Sequence, residues 1–197
     1  MIFTILLCFE VSYKSNISYY LGNWPPPLGI EYVIDRISII PIMIVSVIGL
    51  IATLFAHNFF TLEIDEKLVS KTYSLWLLTI AGLIGLITTA DAFNLFVFLE
   101  ISSLSAVALV ALGSKVDRKA LVAGYNYLIL GAVGATFYVI GVGLLYGVTG
   151  TLNMGDLAQK IPALGLNKSV IVAFTFMMLG IMVKACLLYT SDAADDP

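Results

Sequence analysis

Glu100 and Lys184 are ionisable residues set deep inside apolar stretches, and their surroundings offer them no obvious water. Glu100 lies within FNLFVFLEISSLSAVALVAL, roughly midway between Asp91 and Gly113. Lys184 stands in VIVAFTFMMLGIMVKA, fifteen residues after Ser169, which is about 22 Å along a helix axis at ~1.5 Å per residue. A charge at the centre of a bilayer costs ~2.5–3.5 kcal/mol on insertion scales, so such a residue is neutral, paired, or turned to internal water. An acid and a base at this depth on different helices form a candidate buried pair. Desolvation favours the neutral form of a group and pairing favours the charged form, so opening and closing a pair changes its proton affinity, as a proton relay requires. The other reading is a static pair that locks two helices, and the residues alone leave both open. Ser103, three residues after Glu100, shares its helix face and is placed to hold a water there. Asp91 at the edge of a span and His57 at a helix end are lesser candidates for accessory roles. Asn126 is expected to bond across helices.

The elements that must carry these residues follow from composition. Of the 197 residues, 60% are hydrophobic and 12% charged, and the mean hydropathy is +1.00. Soluble domains hold about 45–50% apolar and about 25% charged residues, so water is the wrong solvent for this chain. The apolar segments predict an all-α, polytopic transmembrane bundle with five spans, near 37–56, 73–90, 93–112, 121–148 and 169–185. Residues 2–9 are too short to cross a bilayer and are expected to stop at Glu10, as the end of a helix begun before the first residue. No basic n-region or cleavage site marks them as a signal peptide. Residues 10–36 read as an irregular loop, in which Trp24-Pro25-Pro26-Pro27 forbids helix. Tyr19, Tyr20, Trp24 and Tyr32 suit the membrane–water interface. Gly143 with Gly147, and Gly131 with Ala135, are the expected sites of close helix approach.

If spans alternate, Lys67, Lys71, Lys115, Arg118 and Lys119 share one side, and Lys14, Arg36, Lys160 and Lys168 the other. The denser group puts loops 58–72 and 113–119 in the cytoplasm of a multi-pass cell-membrane protein. A net charge of −3 excludes a basic nucleic-acid footprint. The single histidine, His57, and two distant cysteines, Cys8 and Cys186, supply no disulfide framework and no metal site. No cofactor motif, phosphate loop or nucleophile triad is present, so no catalytic site is expected in this chain.

Three stretches, in order, carry a resemblance. YYLGNWPPPLGIEYVIDRIS (19–38), DAFNLFVFLEISSLSAVALVALG (91–113) and GATFYVIGVGLLYGVTGTLNMGDLA (134–158) resemble the antiporter-like membrane subunits. That family includes the D-type subunits of Mrp sodium/proton antiporters, the N, M and L subunits of respiratory complex I, and relatives in membrane-bound hydrogenases. The resemblance covers residues 10–185. It implies a bundle of about fourteen spans, each of bilayer length, of which the five segments are the third to seventh. It also implies that Glu100, in FNLFVFLE, matches the fifth-helix glutamate essential for proton translocation. Lys184, in GIMVKA, matches the seventh-helix lysine. The implied orientation, with the Pro-rich loop outside, agrees with the charge count.

Two departures stand out. Ala90 and Ala92 occupy positions where the family usually has Gly and Leu. After Lys184-Ala185 the family continues with Pro, His and Trp, whereas CLLYTSDAADDP (186–197) resembles the translation of a transposon adaptor used in sequencing libraries. The expectation is therefore a single transmembrane domain over 1–185, continuing beyond both ends, with a tail at 186–197 that is not native. The expected function is a proton- or sodium/proton-translocating subunit, with other membrane subunits, the lipid bilayer and H+ or Na+ as partners. The alternative is a structural membrane anchor without its own ion path. Neither the ion nor the parent complex is fixed by these residues, nor whether that complex is a translocating oxidoreductase.

Overall fold

A segment surrounded by lipid must satisfy every backbone polar group internally, so long runs of Leu, Ile, Val, Ala and Phe become helices. The computed structural model describes residues 2–63, 66–112, 119–165 and 167–192, with side chains described outside 57–67 and 186–192. The helices are α1 (Ile2–Lys14), α2 (Ile39–Glu63), α3 (Glu66–Thr88), α4 (Ala92–Leu112), α5 (Lys119–Thr149), α6 (Met154–Leu164) and α7 (Lys168–Asp192). Between α1 and α2 lie strands β1 (Asn16–Tyr20) and β2 (Glu31–Asp35), with a short 3-10 turn after β1. Among the described residues, five helices are long and apolar enough to cross a membrane, over Ile39–Ala56, Leu68–Thr88, Ala92–Leu112, Lys119–Thr149 and Lys168–Ala185. The fold is an all-α membrane bundle with one small sheet.

Several boundaries depart from the sequence reading. Helix α1 passes Glu10 and ends at Lys14, because the exposed Glu10 carboxylate pairs one turn on with Lys14 at 2.8 Å. Residues 10–36 hold an antiparallel hairpin, in register from Asn16↔Asp35 to Tyr20↔Glu31, rather than an irregular loop. The supposed loop 58–72 is helical over 58–63 and 66–72, since Glu, Lys and Leu extend α2 and α3 beyond their apolar cores. Residues 113–118 of the second expected loop lie outside the described residues, and Lys119 opens α5. The amphipathic α6 has no counterpart among the expected elements; Asn153 caps it, its side chain accepting from the Asp156 amide at 3.0 Å. The entry to α2 is set by Asp35, whose carboxylate accepts from the amides of Ser38 at 2.7 Å and Ile37 at 3.0 Å. These bonds, Ser38 foremost, hold the Asp35 carboxyl below its usual range.

The hairpin end of the bundle is tied by backbone hydrogen bonds between distant segments. The Ala90 amide donates to the Glu31 carbonyl at 2.9 Å, and its carbonyl accepts from the Met154 amide at 2.8 Å. The Ala92 amide donates to the Leu152 carbonyl at 2.9 Å. Strand β2, the α3–α4 corner and the α5–α6 corner are thereby one unit. The core beneath it is built from Ala92, Tyr138, Val142, Leu145, Leu157, Val170 and Ala173.

Helix α5 is the centre of the bundle. Among the described residues it packs along both α7 and α4, whereas α4 and α7 share no seam of that extent. The seam with α7 uses Gly134, Gly141 and Gly180. A Cβ at Gly180 would stand 2.5 Å from the Gly134 carbonyl oxygen, and one at Gly141 would stand 2.6 Å from the Ala173 carbonyl oxygen. The expected GxxxG pair is not the contact: a Cβ at Gly143 or Gly147 would meet nothing within 4 Å, and neither would one at Gly131. For Gly143 and Gly147 the reason is helical phase. Gly134, Tyr138 and Gly141 recur at i, i+4 and i+7 on one face, and Gly143 and Gly147 lie round the helix from it.

Gly180→Ala should therefore lower the thermal midpoint of the full-length protein in detergent, by an overpacking cost of about 1–3 kcal/mol. Gly143→Ala should leave it unchanged or raise it. Equal losses from the two would show that α7 does not lie on this face of α5.

Candidate functional site in the membrane

The depth and rotation of α4 are set at its first turn. Asp91 is buried, 7% exposed, and its carboxylate accepts from the Asn94 amide at 2.7 Å, which makes it the N-cap. The Asn94 amide group donates in turn to the Thr89 hydroxyl at 3.0 Å and to the Tyr32 hydroxyl at 3.3 Å. Such a cap contributes about 1 kcal/mol. The Tyr138 hydroxyl on α5 donates to the Ala92 carbonyl at 3.2 Å, pinning α4 to α5. The Asn153 side chain donates to Glu31 Oε2 at 2.9 Å, joining the hairpin to the α6 corner. Asp91 thus has a structural post that the run Asp-Ala-Phe-Asn, an acid just before an apolar stretch, signals on its own.

Glu100 and Lys184 come together from α4 and α7. Lys184 Nζ lies 2.7 Å from Glu100 Oε1 and donates also to Ser103 Oγ at 3.0 Å. Ser103 Oγ donates to the Leu99 carbonyl at 2.7 Å, which leaves its lone pair turned to the ammonium. The pair is shielded, with 14% of the Lys184 side chain and 26% of the Glu100 side chain exposed in this chain. The lysine occupies the place that sequence reading gave to a water beside Ser103. Two oxygens from one helix face hold one cation from another helix.

Asp91 and Asn126 do not join the site. Asp91 belongs to the hairpin-end network. His57 is in α2, with its side chain outside those described. Asn126 lies on the exposed face of α5 rather than between helices. Sequence reading missed Gly134, over which the Lys184 stem passes: a Cβ there would lie 3.3 Å from Lys184 Cγ. Its signal was present in the phase of Gly134 relative to Tyr138 and Gly141.

Known proteins share this sequence pattern. The chain is 46% identical over 169 residues to the N subunit of NADH-quinone oxidoreductase from Desulforudis audaxviator, a match covering 86% of this chain and 33% of that protein. It is 36% identical over 177 residues to the D-type subunit of a probable K(+)/H(+) antiporter from Rhizobium meliloti, covering 85% of this chain and 30% of that protein. Among solved structures, a chain of the Mrp complex from Dietzia sp. DQ12-45-1b superposes with a TM-score of 0.76 at 26% identity, covering 93% of this chain and 33% of that chain. The sequence therefore spans about a third of the length of the curated relatives it matches. Residues 89–190, which include Glu100 and Lys184 and run into the stretch read above as foreign, match the family described as NADH:quinone oxidoreductase/Mrp antiporter, TM. With that match over more than half its length, the chain belongs to the NADH:quinone oxidoreductase/Mrp antiporter transmembrane family.

Proposed function

We propose that this chain is part of a proton- or sodium/proton-translocating membrane subunit, working beside other membrane subunits of a larger complex. The observation that carries the proposal is the Lys184–Glu100 ion pair, which bridges two apolar helices and keeps Ser103 as a second acceptor. A proton arriving on the Glu100 carboxylate removes the attraction that holds the ammonium. Lys184 then keeps only neutral acceptors, the Ser103 hydroxyl and the carbonyl oxygen of the Glu100 acid, and its four-carbon stem is free to carry the charge toward another acceptor. Loss of the proton from Glu100 restores the pair. Each cycle moves positive charge within the membrane with no covalent chemistry, in keeping with the absence of any recognised catalytic motif from the sequence. The relatives named for quinone reduction and for ion antiport support the same role, because both kinds share the matched helices.

The proposed placement is the cell membrane, with the hairpin end outside and the segments 58–72 and 113–119 in the cytoplasm. Support comes from the basic residues gathered there, Lys67, Lys71, Lys115, Arg118 and Lys119, by the positive-inside rule.

Two outcomes follow. In the full-length protein, Glu100→Gln and Lys184→Met each abolish ion movement in reconstituted vesicles while membrane insertion persists; wild-type flux from either variant would end the relay reading. Cysteines placed at Lys67 and Lys115 should react with a membrane-impermeant thiol reagent only after the cells are opened, and labelling of both in intact cells would invert the topology.

A further inference from the structure

Lys184 does not reach Glu100 across a direct α4–α7 seam. Helix α5 lies against both, and the lysine stem has to pass over it. At the crossing point α5 presents Gly134. A Cβ built there would stand 3.3 Å from Lys184 Cγ, 3.2 Å from Val183 Cγ1 and 3.0 Å from the Gly180 carbonyl oxygen. All three distances are tighter than ordinary contact, and one of them is to the stem of the ion-pairing residue itself. One turn away, Gly131 has nothing within 4 Å of its Cβ position. The constraint on the lysine therefore belongs to position 134 and not to the glycine content of the helix.

We infer that Gly134 is a positioning residue for ion translocation: its missing side chain is the gap through which the Lys184 stem crosses α5 to pair with Glu100. The inference rests on the translocation reading for its consequence, but its geometric content stands apart from it. A methyl group at 134 pushes the stem by a few tenths of an ångström. A branched side chain there occupies the path and turns the ammonium away from both Glu100 Oε1 and Ser103 Oγ. Misplacing a working group by about 1 Å is enough to cost on the order of a hundredfold in rate. Gly131 provides the comparison, because it lies one turn away on α5 and a Cβ there meets nothing within 4 Å.

The test uses the full-length protein in vesicles, with ion flux and the infrared band of the Glu100 carboxyl as separate readouts. That band is identified by its loss in Glu100→Gln. Gly134→Val should shift the band and cut flux by roughly a hundredfold, and Gly134→Ala should do both to a smaller degree. Gly131→Ala and Gly143→Ala, at positions where a Cβ meets nothing within 4 Å, should leave the band in place. Should Gly134→Val fail to insert, Gly134→Ala carries the test. An unshifted band in Gly134→Ala, or an equal shift in Gly131→Ala, overturns the inference. A shifted band with wild-type flux upholds the geometry and refutes the translocation role of the pair, so the two failures are distinguishable.

Discussion

Everything in this bundle answers to one cation that has to be held inside lipid. An ammonium at membrane depth is tolerable only with an acceptor at hydrogen-bond distance, and Lys184 finds its acceptors on a helix that does not pack along its own. The four-carbon stem fixes how far the two helices stand apart, and the helix between them has to be thin where the stem crosses. Gly134 on the α5–α7 seam, the course of α5 between α4 and α7, and the face on which α4 presents Glu100 and Ser103 all accommodate that reach. Buried ion pairs seldom add net stability, because desolvation consumes most of the attraction. The translocation role proposed above would account for the presence of this one.

The hairpin end supplies the fixed frame. If α4 turned or slid, Glu100 and Ser103 would leave the lysine together, so the first turn of α4 is anchored from three directions. Asp91 caps it, Asn94 ties it to Thr89 and Tyr32, and Tyr138 fastens it to α5. Backbone bonds through Ala90, Leu152 and Met154 weave the corners together. These polar groups are buried and satisfied, the condition under which a polar network rigidifies a structure. In the proposed cycle, rigidity at that end leaves the movement to the lysine stem.

The five spans and the two misplaced charges were legible in the sequence because they are matters of rarity: an acid and a base inside apolar runs have few explanations. Pairing was legible only as a possibility, since the partners are 84 residues apart and no spacing rule connects separate helices. The hairpin was hidden because Asn16–Tyr20 and Glu31–Asp35 are only five residues each and are separated by the Pro25-Pro26-Pro27 run, which reads as loop. Helix α6 was hidden because its eleven residues fall below the length that signals a span. The glycines divide by phase. Gly143 and Gly147 fit the familiar spacing yet face away, whereas Gly134 and Gly141 are seven apart and share the face that packs, so phase relative to a partner decided what motif spacing did not. Asp91 was legible by its own rule, an acid just before an apolar run, and the structure places it as the cap of α4.

The central claim is that the Glu100–Lys184 pair works rather than braces, and replacing both residues at once separates the two most directly. Apolar substitution of a whole buried pair is often neutral or stabilising, while removal of one partner is costly. In the double variant Glu100→Leu/Lys184→Met, the account predicts a thermal midpoint at or above that of the unmodified protein and no ion flux in reconstituted vesicles. Flux at the unmodified rate from that well-folded double variant would contradict it.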